Sequence, residues 1–153
     1  MFHIVDDNSS VREILSELLE DFGHAVRTFA CPNEYITHVN SPNYVKPIAT
    51  FTDIHMPAMN GFEMIDRLIE TNPCKKFVVM SGNAEGYVEF KNRVCMYLCK
   101  PFHMDCLEKI LHALMSCDQL DHISDEECSV SGCHQERNIQ TWVCPHLPKE
   151  ICA

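Results

Sequence analysis

Short apolar runs alternate along the chain with longer segments in which apolar residues recur every three or four positions. The first pattern predicts β-strands covered on both faces, and the second predicts amphipathic helices. Five strands are predicted, over residues 2–5, 24–30, 48–53, 77–80 and 95–98. A helical segment follows each strand, over residues 11–22, 33–39, 62–69, 84–92 (a short fourth helix) and 104–116. Strands that alternate with helices predict an α/β fold with a parallel, doubly wound sheet and right-handed crossovers.

Polar residues and a glycine mark the ends of the first helix. Asn8 and Ser10 are candidate N-terminal caps, and Ser10 with Glu13 has the spacing of a capping box. Gly23 is predicted to end the helix, because glycine readily adopts the left-handed conformation found after a last helical turn. The residues expected on the buried face of this helix are Val11, Ile14, Leu15, Leu18, Leu19 and Phe22.

Composition and charge restrict the class of protein. The 153 residues suffice for one domain and a modest appendage, and the formal charge of −10 disfavours direct binding to DNA or RNA. An acidic surface suits protein partners and divalent cations instead. No apolar run is long enough to span a membrane, and the first residues lack the basic region of a signal peptide, so a cytoplasmic protein is expected.

Four of the five predicted strands end in a polar signature. The polar residues are Asp6 with Asp7, Asp53, Ser81 and Lys100. Parallel strands place their carboxyl ends along one edge of the sheet, so these groups are expected to converge there. Alone, Asp53 could simply cap its strand, because aspartate favours turns. It is followed, however, by a predicted turn on Pro57 and by Asn60, which has capping-box spacing to Glu63.

The converging groups suggest phosphoryl chemistry. Carboxylate oxygens are the ligands that Mg²⁺ prefers, together with water and phosphate oxygens. The lysine and the hydroxyl of Ser81 supply a positive charge and a donor for phosphoryl oxygens. An aspartate at such a centre, here Asp53, can act as a nucleophile and hold the phosphoryl group as an acyl phosphate.

Residues 1–116 resemble a two-component response-regulator receiver domain. The resemblance rests on the acidic pair after the first strand, Asp53 with Met56-Pro57 and Asn60-Gly61 after the third, Ser81 after the fourth, and Lys100-Pro101-Phe102 after the fifth. It implies a flavodoxin-like topology. It also implies that Asp53 accepts a phosphoryl group from a phosphohistidine of a sensor histidine kinase or a histidine phosphotransfer protein.

The resemblance assigns roles around Asp53. Asp7, with Asp6 acting through water, would hold Mg²⁺ together with Asp53 and the backbone carbonyl of His55. The His55 side chain is a secondary candidate for an acid–base group in loss of the phosphoryl group to water. The protein would then be no classical enzyme, although Mg²⁺-dependent self-phosphorylation and autodephosphorylation at Asp53 are expected.

Three residues near the later strands complete the implied site. Lys100 would pair with the phosphoryl oxygens, held by an unusual bond geometry at Pro101; Ser81 would move to donate a hydrogen bond to them; and Tyr97 would swing inward behind Ser81. The segment between Ser81 and Lys100 is shorter than receivers usually have, which puts their usual dimer in doubt and leaves a monomer or a weak dimer. The expected output is contact with a downstream protein.

Residues 117–153 form a different, acidic segment that is rich in cysteine and histidine. The best candidate metal ligands in it are Cys128, Cys133, His134, Cys144 and His146. Three hypotheses stay open: a flexible peptide that docks on a partner, an element stabilised by Zn²⁺, and a thiol redox sensor. The last two hypotheses imply an alternative function for the protein. In it, the cysteine and histidine cluster of this segment senses a metal or the redox state, and the receiver fold regulates it.

Overall fold

The computed structural model describes residues 1–71, 76–82 and 96–121, with side chains up to residue 116 in the last range. These residues contain five β-strands and four α-helices. In chain order they are β1 (Phe2–Val5), α1 (Ser9–Asp21), β2 (Val26–Phe29), α2 (Pro32–Val39), β3 (Thr50–Asp53), α3 (Gly61–Thr71), β4 (Phe77–Ser81), β5 (Met96–Cys99) and α4 (Met104–Asp121). The predicted short helix over residues 84–92 lies outside the described residues.

The strands form one sheet in the order β2-β1-β3-β4-β5, which confirms the predicted doubly wound α/β fold. The pairs β1 with β2, β1 with β3, and β3 with β4 are parallel. In the central strands β1, β3 and β4 every residue is buried, as expected where helices cover both faces. The chain divides into two compact units, Met1–Met80 and the part from Ser81 onward.

Helix α1 begins at Ser9, two residues earlier than a Ser10 cap requires. Asn8 is the N-cap, and its Oδ1 accepts hydrogen bonds from the backbone N–H groups of Ser10 and Val11 at 3.0 and 3.4 Å. The capping box predicted from Ser10 and Glu13 was therefore wrong, because both residues lie inside the helix. Gly23 follows the helix with φ 81°, and its N–H donates to the Glu20 carbonyl at 2.8 Å, which confirms it as the terminating glycine.

One residue of the predicted buried face of α1 is exposed. Leu15 and Leu19 are fully buried, whereas 52% of the Ile14 side chain is accessible. Consecutive helical residues point about 100° apart, so a stripe centred on Leu15 and Leu19 turns Ile14 toward solvent. The last helix behaves as predicted, with Leu107, Ile110, Leu111 and Leu114 all buried.

Several element boundaries differ from the prediction. Strand β2 is limited to Val26–Phe29, where Arg27 and Thr28 are exposed on the edge of the sheet, and β3 begins at Thr50. Strand β5, described over Met96–Cys99, ends one residue later than predicted. Helix α4 continues to Asp121, past the predicted boundary at Ser116. Ser116 lies inside the helix, where its hydroxyl donates to the His112 carbonyl at 2.9 Å.

A glycine lets helix α3 begin against the end of β3. The N–H of Gly61 donates to the Ile54 carbonyl at 2.9 Å, and a Cβ added at Gly61 would collide with the carbonyl oxygen of Asp53. The predicted capping box is confirmed: the Glu63 N–H donates to the Asn60 side chain at 2.9 Å, and the Asn60 N–H donates to the Glu63 carboxylate at 3.0 Å. The helix start and the strand end are therefore one packed unit.

A buried polar network joins β1, α2 and β3 and has no counterpart among the predictions. The Tyr35 hydroxyl lies 3.3 Å from His3 Nδ1 and 2.7 Å from Thr50 Oγ1. His3 is fully buried, and its ring lies edge-on to the His38 ring with centroids 5.6 Å apart. Burial, followed by the proximity of His38 and Arg27, lowers the pKa of His3 to about 4. His3 is thus a neutral core residue.

We expect Gly61→Ala to lower the free energy of unfolding by about 1–3 kcal/mol, because the added methyl group can be accommodated only if backbone moves. Urea unfolding followed by circular dichroism measures this loss. Gly82→Ala is the matched control, because a Cβ there meets no atom of the described residues within 4 Å. Its change should stay within about 0.5 kcal/mol. Equal effects of the two substitutions would contradict the close approach at Gly61.

We expect stability to fall with acidification through the titration of His3. The pKa of His3 is lowered to about 4 in the folded state, below its ordinary value of 6.5. The contribution of neutral His3 to the free energy of unfolding is therefore fully present above pH 6.5 and is lost as the pH falls toward 4. The loss reaches about 3 kcal/mol. Urea unfolding between about pH 7.5 and pH 4.5 should show a shallower pH dependence for His3→Leu than for the wild type. The exposed His112→Gln variant should keep the wild-type slope, and a wild-type slope in His3→Leu would contradict the assignment.

Candidate functional site

The site is organised around two carboxylates on neighbouring strands. Val5 of β1 is the register partner of Thr52 of β3, so the next residues along the two strands, Asp6 and Asp53, lie side by side. Neighbouring strands place their backbones about 4.8 Å apart. Asp6 is 1% exposed and Asp53 is 8% exposed. Two buried carboxylates side by side repel each other, and burial of such charges is stable only with compensating partners. This edge of the sheet therefore favours cations.

A backbone N–H orients each carboxylate. Asp6 Oδ1 accepts a hydrogen bond from the N–H of Asn8 at 2.9 Å, and Asp53 Oδ2 accepts one from the N–H of His55 at 2.8 Å. Both bonds span two residues and form the local turn that aspartate favours. These hydrogen bonds orient both carboxylates at the start of the loops that follow β1 and β3.

Arg12 also contacts the first acid and was not predicted as part of the site. Its Nη1 donates to the backbone carbonyl of Asp6 at 2.7 Å. The contact joins residues six positions apart, across the turn between β1 and α1. No helical or strand periodicity marks such a pair in a sequence. The Asn8 cap offered the nearest signal, because it places the first turn of α1 beside the end of β1.

The loop after Asp53 is anchored by apolar side chains. Met56 and Met59 are buried, whereas His55, Pro57 and Ala58 are exposed. The Met59 N–H donates to the Pro57 carbonyl at 2.8 Å, which is consistent with the predicted turn at Pro57. Ala58 has φ 67°, an uncommon conformation for a residue with a Cβ, and sequence propensity gave no reason to expect it there.

Among the described residues, oxygen donors are present, but side chains alone form no complete metal site. Within residues 1–71, 76–82 and 96–121, no three His, Cys, Asp or Glu side chains are grouped closely enough to hold a metal ion. Asp7 is exposed beside the buried Asp6. Mg²⁺ needs only one or two carboxylates, since waters and phosphate oxygens supply its other ligands. The donor set at Asp6 and Asp53 fits that ion, and the magnesium site stays a prediction.

The unit from Ser81 onward contains the other predicted site residues. Ser81 is buried at the end of β4, and its carbonyl accepts the N–H of Lys100 at 2.8 Å. The peptide bond between Lys100 and Pro101 is cis. Tyr97 on β5 and Lys100 directly after it are both half-buried. These residues lie at the strand positions expected from the sequence, and their roles toward a phosphoryl group stay predictions.

The candidate metal ligands of the C-terminal segment lie outside the described residues. They are Cys128, Cys133, His134, Cys144 and His146. In the described part of the chain, nothing favours the alternative in which this cluster is the sensor. In the part of the chain before this segment, Cys31 and Cys99 are free and half-buried. As for a membrane, none of the described helices has the length and apolar character that crossing one requires.

Two curated proteins with similar sequences match about two thirds to three quarters of the chain. The chain is 28% identical over 105 residues to the DNA-binding transcriptional regulator NtrC of Klebsiella pneumoniae, covering 67% of this chain and 22% of that protein. It is 30% identical over 113 residues to an uncharacterized response regulatory protein of Vibrio cholerae, covering 73% and 47% respectively. The chain thus spans about a fifth to a quarter of the length of the NtrC relatives, from 22% to 27%.

Solved structures share the fold. The receiver domain of NtrX from Brucella abortus aligns with a TM-score of 0.67 at 24% identity, over 76% of this chain and 98% of that one. The chemotaxis response regulator CheY4 of Vibrio cholerae aligns with a TM-score of 0.64 at 23% identity, over 74% and 96%. The family model for the response regulator receiver domain matches residues 2–112. With that match across most of its length, the chain belongs to the response regulator receiver domain family.

Proposed function

We propose that this receiver accepts a phosphoryl group on Asp53 from the phosphohistidine of a sensor histidine kinase or of a histidine phosphotransfer protein. The observation that carries the proposal is the placement of Asp53, a buried carboxylate at the carboxyl end of a central strand with Asp6 in the adjacent register. An oxygen of Asp53 attacks phosphorus, the N–P bond breaks, and the donor imidazole leaves with the bonding electron pair. The product is an acyl phosphate.

Four residues are proposed to hold Mg²⁺ for this reaction. They are Asp6, acting through water, Asp7, Asp53, and His55 through its backbone carbonyl. When bound, the ion neutralises charge on the phosphoryl oxygens during transfer. The protein prepares the site by orientation, since the N–H groups of Asn8 and His55 hold the carboxylates of Asp6 and Asp53. Preoriented groups of this kind avoid a reorganisation cost at the moment of reaction.

The proposed response to phosphorylation uses the second unit. Lys100 is assigned to pair with the phosphoryl oxygens, Ser81 to donate a hydrogen bond to them, and Tyr97 to move inward. A phosphoryl group adds about −1.5 to −2 of charge, which these donors would offset. A downstream protein that binds only the phosphorylated state would then receive the signal, because binding can shift an equilibrium only by its difference in affinity.

The proposal also includes the kind of binding partner and the cellular location. The net charge of −10 supports a protein partner rather than direct nucleic-acid binding. The name of the NtrC relatives refers to DNA binding, but this chain covers only 22% to 27% of their length, and that property is not assigned to it. We place the protein in the cytoplasm, where the proposed kinase domain acts.

Incubation of the purified chain with Mg²⁺ and acetyl phosphate, a small phosphodonor, should add one phosphoryl group, and chelation of Mg²⁺ should prevent it. Asp53→Asn should abolish the addition, because an amide cannot form the acyl phosphate. Intact-protein mass spectrometry measures both results.

Asp21→Asn provides the matched control, since Asp21 is exposed at the end of α1 and should be dispensable. Labelling that persists in Asp53→Asn would refute Asp53 as the acceptor. Wild-type protein that stays unlabelled by acetyl phosphate and by a phosphorylated histidine kinase would refute the proposed function itself.

A further inference from the structure

The turn between β1 and α1 is held by polar contacts at both ends of Asp6. The N–H of Asp6 donates to the Phe29 carbonyl of β2 at 3.2 Å, so the sheet fixes one side of the residue. On the other side, its carbonyl accepts the 2.7 Å hydrogen bond from Arg12 Nη1. Arg12 itself is half-buried in the first turns of α1, where its N–H donates to the Asn8 carbonyl at 3.2 Å.

The carbonyl that Arg12 binds belongs to the peptide unit joining Asp6 to Asp7. A peptide unit is planar, so fixing its oxygen also fixes the direction in which the chain leaves toward Asp7. Asp7 is exposed, and its neighbour Asp6 is already tied to the Asn8 N–H. The Arg12 contact is therefore a direct restraint on the backbone from which the Asp7 carboxylate projects.

Arginine suits this restraint better than lysine. A guanidinium donates from a rigid, planar fork, and its hydrogen bonds to oxygen are charge-assisted and short. A distance of 2.7 Å is at the short end for an N–H donor, as expected for such a bond. A lysine ammonium would preserve the charge but would hold the carbonyl through a flexible chain.

We propose that Arg12 is a positioning residue for Mg²⁺: by binding the Asp6 carbonyl, it fixes the Asp6-Asp7 peptide and so the place of the Asp7 ligand. The inference rests on the proposed function, in which the acidic pair holds the ion. Arg12 does not contact the reacting atoms, and its effect belongs to ion affinity rather than to phosphoryl transfer at saturating Mg²⁺.

Two effects of Arg12 have opposite signs, and this makes the proposal testable. As a positioning residue, Arg12 strengthens binding of Mg²⁺, so its removal weakens it. As a mere positive charge near the site, it repels the cation, so its removal would strengthen binding. Loss of a residue that orients a metal ligand typically weakens affinity by about tenfold or more.

The experiment measures the Mg²⁺ dissociation constant and the labelling rate from acetyl phosphate, on full-length wild type, Arg12→Met, Arg12→Lys and Arg67→Met. Arg12→Met should weaken Mg²⁺ about tenfold while its labelling rate at saturating Mg²⁺ stays within about twofold of the wild type. Arg12→Lys should restore part of the affinity. Arg67 is exposed on α3, so Arg67→Met controls for loss of an arginine charge and should bind Mg²⁺ as the wild type does.

Unchanged or tighter Mg²⁺ binding in a folded Arg12→Met variant would overturn the proposal. If that variant fails to fold by circular dichroism, Arg12→Gln and Arg12→Lys decide in its place, and wild-type affinity in both would overturn it equally. These outcomes leave wild-type labelling intact and so differ from failure of the proposed function, in which the wild type itself is not labelled.

Discussion

The register of β1 against β3 is the constraint on which the site depends. His3 and Thr50 are register partners at the start of the two strands, and the hydroxyl of Tyr35 lies between their side chains. A slip of one residue would send each side chain of the strand to the opposite face of the sheet. It would also break this buried bridge and leave polar atoms without partners, at a cost of about 1–3 kcal/mol for each. A network at one end of the strands thus aligns Asp6 with Asp53 at the other.

The two loops that follow these acids are restrained in different ways. Hydrogen bonds from Asn8 and Arg12 hold the loop after β1. Burial of Met56 and Met59 holds the loop after β3, together with the close contact of Gly61. Restraint by hydrogen bonds suits the first loop, because a cation is expected beside it. The oxygen atoms of that loop must then keep fixed directions. Apolar restraint suits the second loop, because it keeps the backbone of the proposed nucleophile immobile.

Features set by local sequence were predicted correctly. Gly23 ends its helix, Asn60 and Glu63 form a capping box, and the polar residues stand at the strand ends, because each depends on neighbours within a few positions. Two features set by tertiary packing were not predicted: the hydrogen-bonded network around His3 and the exposure of Ile14. Nothing near His3 in the sequence indicates Tyr35 or Thr50, and the exposure of Ile14 follows only from how α1 packs.

The closeness of negative charges at Asp6 and Asp53 couples the proposed phosphorylation to the binding of a cation. At an effective dielectric constant near 20, two unit charges about 4 Å apart interact by about 4 kcal/mol. A phosphoryl group on Asp53 would bring nearly two further negative charges beside the buried carboxylate of Asp6. The backbone at Asp53 cannot move away from Asp6, because pairing with β1 fixes it on one side and the close contact with Gly61 fixes it on another. In the proposed function, Mg²⁺ and Lys100 would offset this repulsion of several kcal/mol. If Mg²⁺ does so, linkage requires that a phosphoryl group on Asp53 and Mg²⁺ each favour the binding of the other.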